Sequence, residues 1–296
     1  MLMNDAQVKT LMEALPYLRD FKDKTIVVKY GGNAMLNDEI KNKVLQDIVF
    51  LQCAGMRPVV VHGGGPEITA MLMQAGKKSE FVSGLRVTDA ESVGIAEMAL
   101  VGKINTDLVA RLNSLGGKAV GLNGKDADLI IAKKHLADVY ENGEVNLVDI
   151  GYVGNVEHVN TGLIEVLLDN GFIPVIAPTG VGSAGETYNI NADSVAGEIA
   201  GALKAEKLLV LTDVKGIYSD YRDENSFIST LTFEKAQELI IRGNIDGGMI
   251  PKVRACITAL SGGAKKTHII DGRAEHTILM EIFSDKGVGT EVVKEL

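Results

Sequence analysis

The sequence is short of the residues that staple small folds or bind metals. Among 296 residues there are two cysteines, Cys53 and Cys256, which make neither a disulfide framework nor the paired spacing of a zinc site. Cys53 lies inside the helical pattern "VLQDIVFLQCAG" and is expected to be a packed, buried thiol. Positive charge is also scarce: 30 lysines and arginines face 39 aspartates and glutamates, for a formal charge of −9. Holding nucleic acid or an anionic membrane by bulk electrostatics requires a basic face, so neither partner is expected. No apolar run approaches the ~18 residues of a membrane span, and Met1–Asp5 lacks a basic start. The expected location is therefore cytoplasmic. Internal repeats and low-complexity tracts are missing as well.

What is present is an alternation. With 46% hydrophobic residues the chain has ample core for one large α/β domain or two lobes sharing a sheet. Short β-branched runs predict strands at Thr25–Tyr30, Pro58–His62, Lys118–Leu122, Leu129–Lys133, Phe172–Ala177, Lys207–Val214 and Thr267–Asp271. Most are apolar throughout, as strands buried on both faces are. Amphipathic stretches between them predict helices, among them Asn37–Ala54, Pro66–Gly76, Asp89–Asn113, Ala192–Leu203, Thr232–Arg242 and Met249–Gly262. "TDAE" at Thr88–Glu91 has the spacing of a capping box. The pattern as a whole predicts an α/β fold with a mostly parallel sheet between helical layers. Val145–Val156 breaks the rhythm and reads as a hairpin or meander, and glycine-rich Thr179–Asp193 reads as the joint between lobes. The expected division is an N-terminal helix over 1–22, a first lobe over 23–182 and a second over 183–296.

Several glycine-rich turns invite nucleotide readings. "GVGSAG" at Gly180–Gly185 fits G-x-G-x-x-G, but polar "ETYNINAD" follows where a dinucleotide fold opens a helix. No segment fits a Walker phosphate loop, and "HGGG" has no G-x-S-x-G elbow to make it an esterase oxyanion loop. Two turns remain. "VVKYGGNAM" places Lys29 ahead of Gly31 and Gly32, and "VVVHGGGPEI" places Gly63, Gly64 and Gly65 ahead of Pro66. Each could merely close a tight strand-to-helix turn. Bare N–H groups at such turns also bind phosphate oxygens, and in an open parallel sheet both turns fall on the carboxyl edge. Two of them with a lysine alongside point to phosphate.

The motifs "KYGGNAM", "VHGGGPEI", "GLRVTD", "GLNGKDADLI", "YNINAD", "LLVLTDVKGIY" and "GGMIPKV", in this order, resemble the amino-acid kinase family, and within it the kinases of N-acetyl-L-glutamate. The resemblance implies a three-layer αβα sandwich whose first lobe holds the acyl amino acid and whose second holds ATP, with Mg²⁺ arriving on the nucleotide. It implies transfer of the γ-phosphoryl to the γ-carboxylate of N-acetyl-L-glutamate, giving an acyl phosphate for arginine synthesis. A carboxylate of pKa about 4.3 is already ionised at neutral pH, so the reaction needs no general base. None stands out among the five histidines, and no dedicated acidic metal cage is visible. Rival readings are another carboxylate or carbamate kinase of the same fold, and a silent amino-acid sensor.

By resemblance, Lys29 stabilises the transferring phosphoryl, Lys252 meets the phosphate bridge, and Asp193 holds both lysines by charge. Asp193 could instead simply cap the helix that follows. Asn189 and Asn191 alternate with Asp193, so an extended segment would put all three on one face. The resemblance gives the asparagines, with Gly64 and Gly65, to the acyl amino acid. Arg86 suits a bidentate clamp on its α-carboxylate. Gly31, Gly32, Thr212, Asp213 and Lys215 are the expected ATP contacts. The helix over 1–22 puts Val8, Leu11, Met12, Leu15 and Leu18 on one stripe, which is expected to pack against a second chain. That extension resembles the one in arginine-inhibited, hexameric members, where it interlaces dimers into a trimer of dimers. L-arginine is then the implied effector, meeting Glu281 with His268, Gly287, Tyr17 and Lys207 nearby.

Overall fold

The computed structural model describes residues 4–35, 37–141, 144–220 and 222–295. Eight strands form the main sheet: Thr25–Tyr30 (β1), Arg57–His62 (β2), Ala119–Asn123 (β3), Ile173–Ala177 (β4), Lys207–Thr212 (β5), Thr230–Thr232 (β6), Lys266–Asp271 (β7) and Thr290–Val293 (β8). Their order is β6-β8-β7-β5-β1-β2-β4-β3, and every pairing is parallel except β7 with β8. The helices are Asp5–Phe21 (α1), Asp38–Cys53 (α2), Gly65–Gln74 (α3), Ala90–Glu97 (α4), Thr106–Ser114 (α5), Gly162–Asp169 (α6), Ala192–Ala202 (α7), Phe233–Ile241 (α8), Met249–Gly262 (α9) and Thr277–Ile282 (α10).

Strand parity sorts the helices into two layers. Along β1, Ile26, Val28 and Tyr30 join the core under α2, α3, α4, α5 and α10, whereas Val27 joins the core under α6, α7, α8 and α9. Val27, Val59 and Val210 are fully buried, each worth about 1.5–3 kcal/mol against exposure. Lys29 shares the parity of Val27, so it faces the layer of α7 and α9. The mostly parallel sheet between helical layers that the alternation predicts, and the αβα sandwich that the resemblance implies, is the fold that forms.

Outside the main sheet, Ile130–Glu141 and Glu144–Val159 pair as a long antiparallel hairpin, so Val145–Val156, expected to be a hairpin or meander by itself, is instead one strand whose partner precedes it in the chain. The first of these strands runs well past the Lys133 expected as its end. Thr179–Val181 and Thr187–Ile190 join them, and the four strands close on themselves. The glycine-rich joint is therefore mostly a hairpin of this small barrel, and a division after residue 182 falls between its two strands.

Three local expectations are corrected. Thr88 does not cap a helix: its hydroxyl donates to the Arg86 carbonyl, and Asp89 is the N-cap, accepting from the Ser92 N–H. Cys53 is exposed at the last position of α2, so packing does not explain it, whereas Cys256 is buried. The helix over 89–113 forms, but its middle, Met98–Asn105, is π-helical. At the N-terminus α1 buries none of its residues, and Val8, Leu11, Met12 and Leu15 are exposed. Residues 1–3 of the expected N-terminal segment lie outside the described residues. Among the described residues no helix is long and apolar enough to cross a membrane.

Candidate active site

The carboxyl ends of β1, β2 and β5 open onto two cavities that meet at one lysine. A cavity of about 730 Å³ is lined by Lys29, Gly31, Gly32, Thr212, Asp213, Lys215 and Lys252, among others. A smaller one of about 260 Å³ is lined by Lys29, Gly32, Gly64, Gly65, Arg86, Asn189, Asn191 and Asp193. The residues expected at ATP and those expected at the acyl amino acid thus separate into two spaces, and Lys29 with Gly32 belongs to both.

Asp193 joins the two lysines. The Lys29 ammonium lies 2.9 Å from its Oδ1 as an ion pair outside hydrogen-bond alignment, and Lys252 donates to its Oδ2 at 3.1 Å. Burial raises the Asp193 pKa, but the two ammonium charges outweigh it and hold the carboxyl below its ordinary value. It stays an anion, and it spends that charge on lysines. Lys252 sits in the first turn of α9, where the helix dipole opposes a cation. Two lysines sharing one carboxylate leave net positive charge where the cavities meet.

The segment through Asn189, Asn191 and Asp193 is not extended throughout, as the alternation suggested. The strand ends at Ile190, Asn191 is the N-cap of α7, and Asp193 lies in that helix's first turn. Asn191 Oδ1 accepts from the Asp193 and Ser194 N–H groups, so the cap reading belongs to Asn191 and not to Asp193. The change of direction still leaves all three on the wall of the smaller cavity.

Arg86 is buried without a carboxylate partner among the described residues. Its guanidinium donates to the Ser79 hydroxyl, to the Gly65 carbonyl at 3.0 Å and to Thr69 Oγ1 at 2.8 Å, and it lies 4.8 Å from the centre of the Phe81 ring. Burial pulls its pKa below the usual arginine value. A buried cation held by neutral groups beside a cavity is set up for an anionic ligand.

The glycines have different reasons. Gly32 adopts φ +69°, a left-handed turn that favours glycine. A Cβ on Gly64 would come within 2.6 Å of Leu100 and Ile104 side chains behind the loop, so protein packing demands that glycine. A Cβ on Gly65 would meet nothing within 4 Å. Behind the same loop, His62 is fully buried and burial pushes its pKa down to about 4. Asn105 Nδ2 lies 3.1 Å from His62 Nε2 and donates to the Val175 carbonyl at 2.8 Å. Neither residue was a sequence candidate, and only a polar pair in otherwise apolar surroundings could have signalled them.

The remaining expected residues, Tyr17, Lys207, His268, Glu281 and Gly287, line a third cavity of about 560 Å³ at the opposite edge of the sheet. Lys207 donates to Glu281 Oε1 at 3.0 Å, and His268 Nδ1 lies 2.9 Å from the same atom. The Val288 N–H donates to Oε2. Burial raises the Glu281 pKa, but His268, Lys207 and that N–H bring it down to about 2. Tyr17 of α1 donates to Asp285 at 2.5 Å, and Lys207 lies 5.7 Å from the centre of the Phe21 ring. Five carboxylates and three lysines line this cavity.

The sequence pattern of the amino acid kinase family matches residues 24–271. The chain belongs to the amino acid kinase family. It is 59% identical over 283 residues to an acetylglutamate kinase of Moorella thermoacetica, covering 96% of each chain. It is 56% identical to an acetylglutamate kinase of Pelotomaculum thermopropionicum, covering 96% of this chain and 97% of that one. As a member of this family the chain is a kinase, an ATP-dependent phosphotransferase. Among solved structures it resembles N-acetylglutamate synthase from Neisseria gonorrhoeae complexed with coenzyme A and N-acetyl-glutamate, at 28% identity and TM-score 0.80. It spans 98% of its own length but 64% of that chain. The same synthase complexed with coenzyme A and L-arginine matches at 26% identity, TM-score 0.79 and 65% of that chain, with 97% of this one covered. A carbamate kinase from Giardia lamblia bound to AMP-PNP shares the fold at 19% identity and TM-score 0.67, covering 92% of this chain and 99% of its own.

Proposed function

We propose that the protein transfers the γ-phosphoryl group of ATP to the γ-carboxylate of N-acetyl-L-glutamate, a step of arginine biosynthesis in the cytoplasm. One observation carries the reading: a larger and a smaller cavity meet at Lys29, with Asp193 and Lys252 completing the junction. ATP takes the larger cavity, in the second lobe, and the acyl amino acid the smaller one, in the first. Arg86 meets the substrate's α-carboxylate, and Asn189 and Asn191 meet the acylated end.

The substrate γ-carboxylate oxygen forms the new P–O bond as the bond to the β-phosphate oxygen breaks, and ADP leaves with those electrons. No proton moves, which suits a site whose buried histidine is neutral. Lys29 and Lys252 neutralise charge on the phosphoryl in transit, and the Gly64 and Gly65 N–H groups add donors without charge. Both Asp193 oxygens face lysine ammonium groups, so this carboxylate is not a metal ligand. Mg²⁺ would be held by the ATP phosphates. When bound, it supplies charge screening between nucleotide and acceptor.

We further infer that L-arginine is the effector of the third cavity and that the chain is a hexamer, a trimer of dimers. The cavity's excess of carboxylates suits a guanidinium, and the neighbouring synthase structure is complexed with L-arginine. The exposed stripe of α1 is the surface that joins dimers.

The test is ADP release with N-acetyl-L-glutamate, glutamate, aspartate and carbamate side by side. Turnover with the acetylated substrate is expected; turnover with the others alone would overturn the assignment. Deleting residues 1–22 is expected to leave dimers with weak, non-sigmoidal arginine inhibition, and a truncated hexamer would refute the role of α1.

A further inference from the structure

We propose that His62, held in one tautomer by Asn105, is a positioning residue for phosphoryl transfer: it turns the Gly63–Gly64 peptide so that the Gly64 N–H faces the reacting oxygens. This rests on the kinase reading above.

The contacts fix the direction of each hydrogen bond. Asn105 Nδ2 donates at 2.8 Å to the Val175 carbonyl and, more weakly, at 3.4 Å to the Leu122 carbonyl, and both can only accept, so the NH₂ end of the amide is the end that reaches His62. His62 Nε2 must then accept, and the ring proton sits on Nδ1. That nitrogen lies 2.9 Å from the Gly63 carbonyl and donates to it. A trans peptide points its C=O and the following N–H in opposite directions. Drawing the Gly63 oxygen back to the ring sends the Gly64 N–H away from it, toward the cavity that Gly63, Gly64, Gly65 and Lys29 line. Among the described residues that N–H makes no hydrogen bond.

The π-helical segment Met98–Asn105 supports the loop at two points. Its last residue is Asn105, and its Leu100 and Ile104 occupy the space where a Gly64 side chain would go. A π turn inserts one residue and shifts the register of the helix, and such segments concentrate at functional sites. Here it lets one short stretch hold the histidine with a polar group and press the glycine with apolar ones. Rigidity is the point, because donors stabilise transition-state charge only when they are in place before the reaction. Complete burial keeps His62 neutral near pH 7, so the donor to Gly63 does not switch with physiological pH.

Two measurements test this. Nitrogen-15 NMR of the histidine-labelled wild-type protein reads the tautomer, with the His62 signal assigned by its loss in His62→Asn. An Nδ1–H form that does not titrate between pH 6 and 8 is expected; an Nε2–H form overturns the proposal. Kinetics per folded enzyme come second. His62→Leu is expected to lower kcat about 100-fold with both KM values within about threefold. His62→Asn keeps an N–H near the position of Nδ1 and is expected to recover to within about tenfold of wild type. Equal activity of the two variants, or full activity of His62→Leu, reduces the histidine to packing and overturns the proposal. Wild-type protein without phosphotransfer would instead bring down the kinase reading beneath it.

Discussion

Two buried clusters, each a carboxylate between two basic groups, sit at opposite edges of one sheet, and the cavities beside them differ in charge. At the carboxyl edge Asp193 stands between Lys29 and Lys252; at the amino edge Glu281 stands between Lys207 and His268. In each, one buried carboxylate is kept ionised against its own desolvation by two basic neighbours. The surroundings differ. Asp193 lies under two glycine turns and near Arg86, so the lysines it holds face cavities with few acids and an anion is the natural ligand. Glu281 lies among Glu206, Asp285 and Glu291, and it receives a backbone N–H besides its two partners. An ion cluster therefore does not declare its ligand; the charges lining the adjoining cavity do.

Breaking the first cluster should have the largest effect. Lys29→Ala and Lys252→Ala are each expected to lower kcat by about 1,000-fold, far more than they raise either KM, because their charge meets the phosphoryl mainly in transit. Steady-state kinetics decide, and a raised KM for ATP with unchanged kcat would make them binders of the ground state.

Breaking the second should leave catalysis intact. Glu281→Gln strands the buried Lys207 charge and is expected to cost about 3 kcal/mol of stability, read by urea unfolding. Its kcat without arginine should stay within about twofold of wild type, as distant sites rarely couple. Arginine inhibition should disappear in the same variant. Loss of kcat at full folding would show that the two edges are one site.

Acid sharpens the comparison, since both carboxylates hold their charge well and His62 does not hold a proton. His62 has a folded pKa of about 4 against 6.5 unfolded, so the unfolded chain binds the extra proton between those values. Stability contributed by this group is present above pH 6.5 and is lost as pH falls toward 4, on the order of 3 kcal/mol. Glu281, lowered to about 2, loses its contribution only below the usual carboxylate range. Thermal unfolding against pH should show the first loss in wild type and much less of it in His62→Asn.

The smallest expected effect belongs to a single arm of the anion side. Arg86→Ala should raise the KM for the acyl amino acid by about 30-fold, the worth of one charged hydrogen-bonded pair, and leave the KM for ATP nearly unchanged. A matching rise in both constants would place Arg86 between the cavities rather than in one.

Some of this was legible in the residues. The main-sheet strands announced themselves because parallel strands buried on both faces are continuous apolar runs, and Val59–Val61 and Leu208–Leu211 are such runs. The glycine turns could be read because bare N–H groups at the ends of parallel strands suit phosphate, and Lys29 because it stands beside one of them. The helix over 89–113 was legible as a helix, but its π register was not, because one inserted residue hardly disturbs the apolar periodicity. His62 and Asn105 went unread with it. Cys53 was misread because helix periodicity names a face without saying what covers it.

The sequence by itself determined what is periodic: the alternation of strand and helix, the parity that puts Lys29 on the side of α7, and the amphipathic stripe of α1. Only the tertiary structure decided what depends on distant segments meeting. Asp193 reaches Lys252 across 59 residues of chain and Glu281 reaches Lys207 across 74, contacts set by strand order and helix packing. The Gly64 loop and its π-helical backing likewise meet only in the fold. Periodicity is a property of neighbours along the chain, whereas a site is a property of neighbours in space, and strand crossovers separate the two.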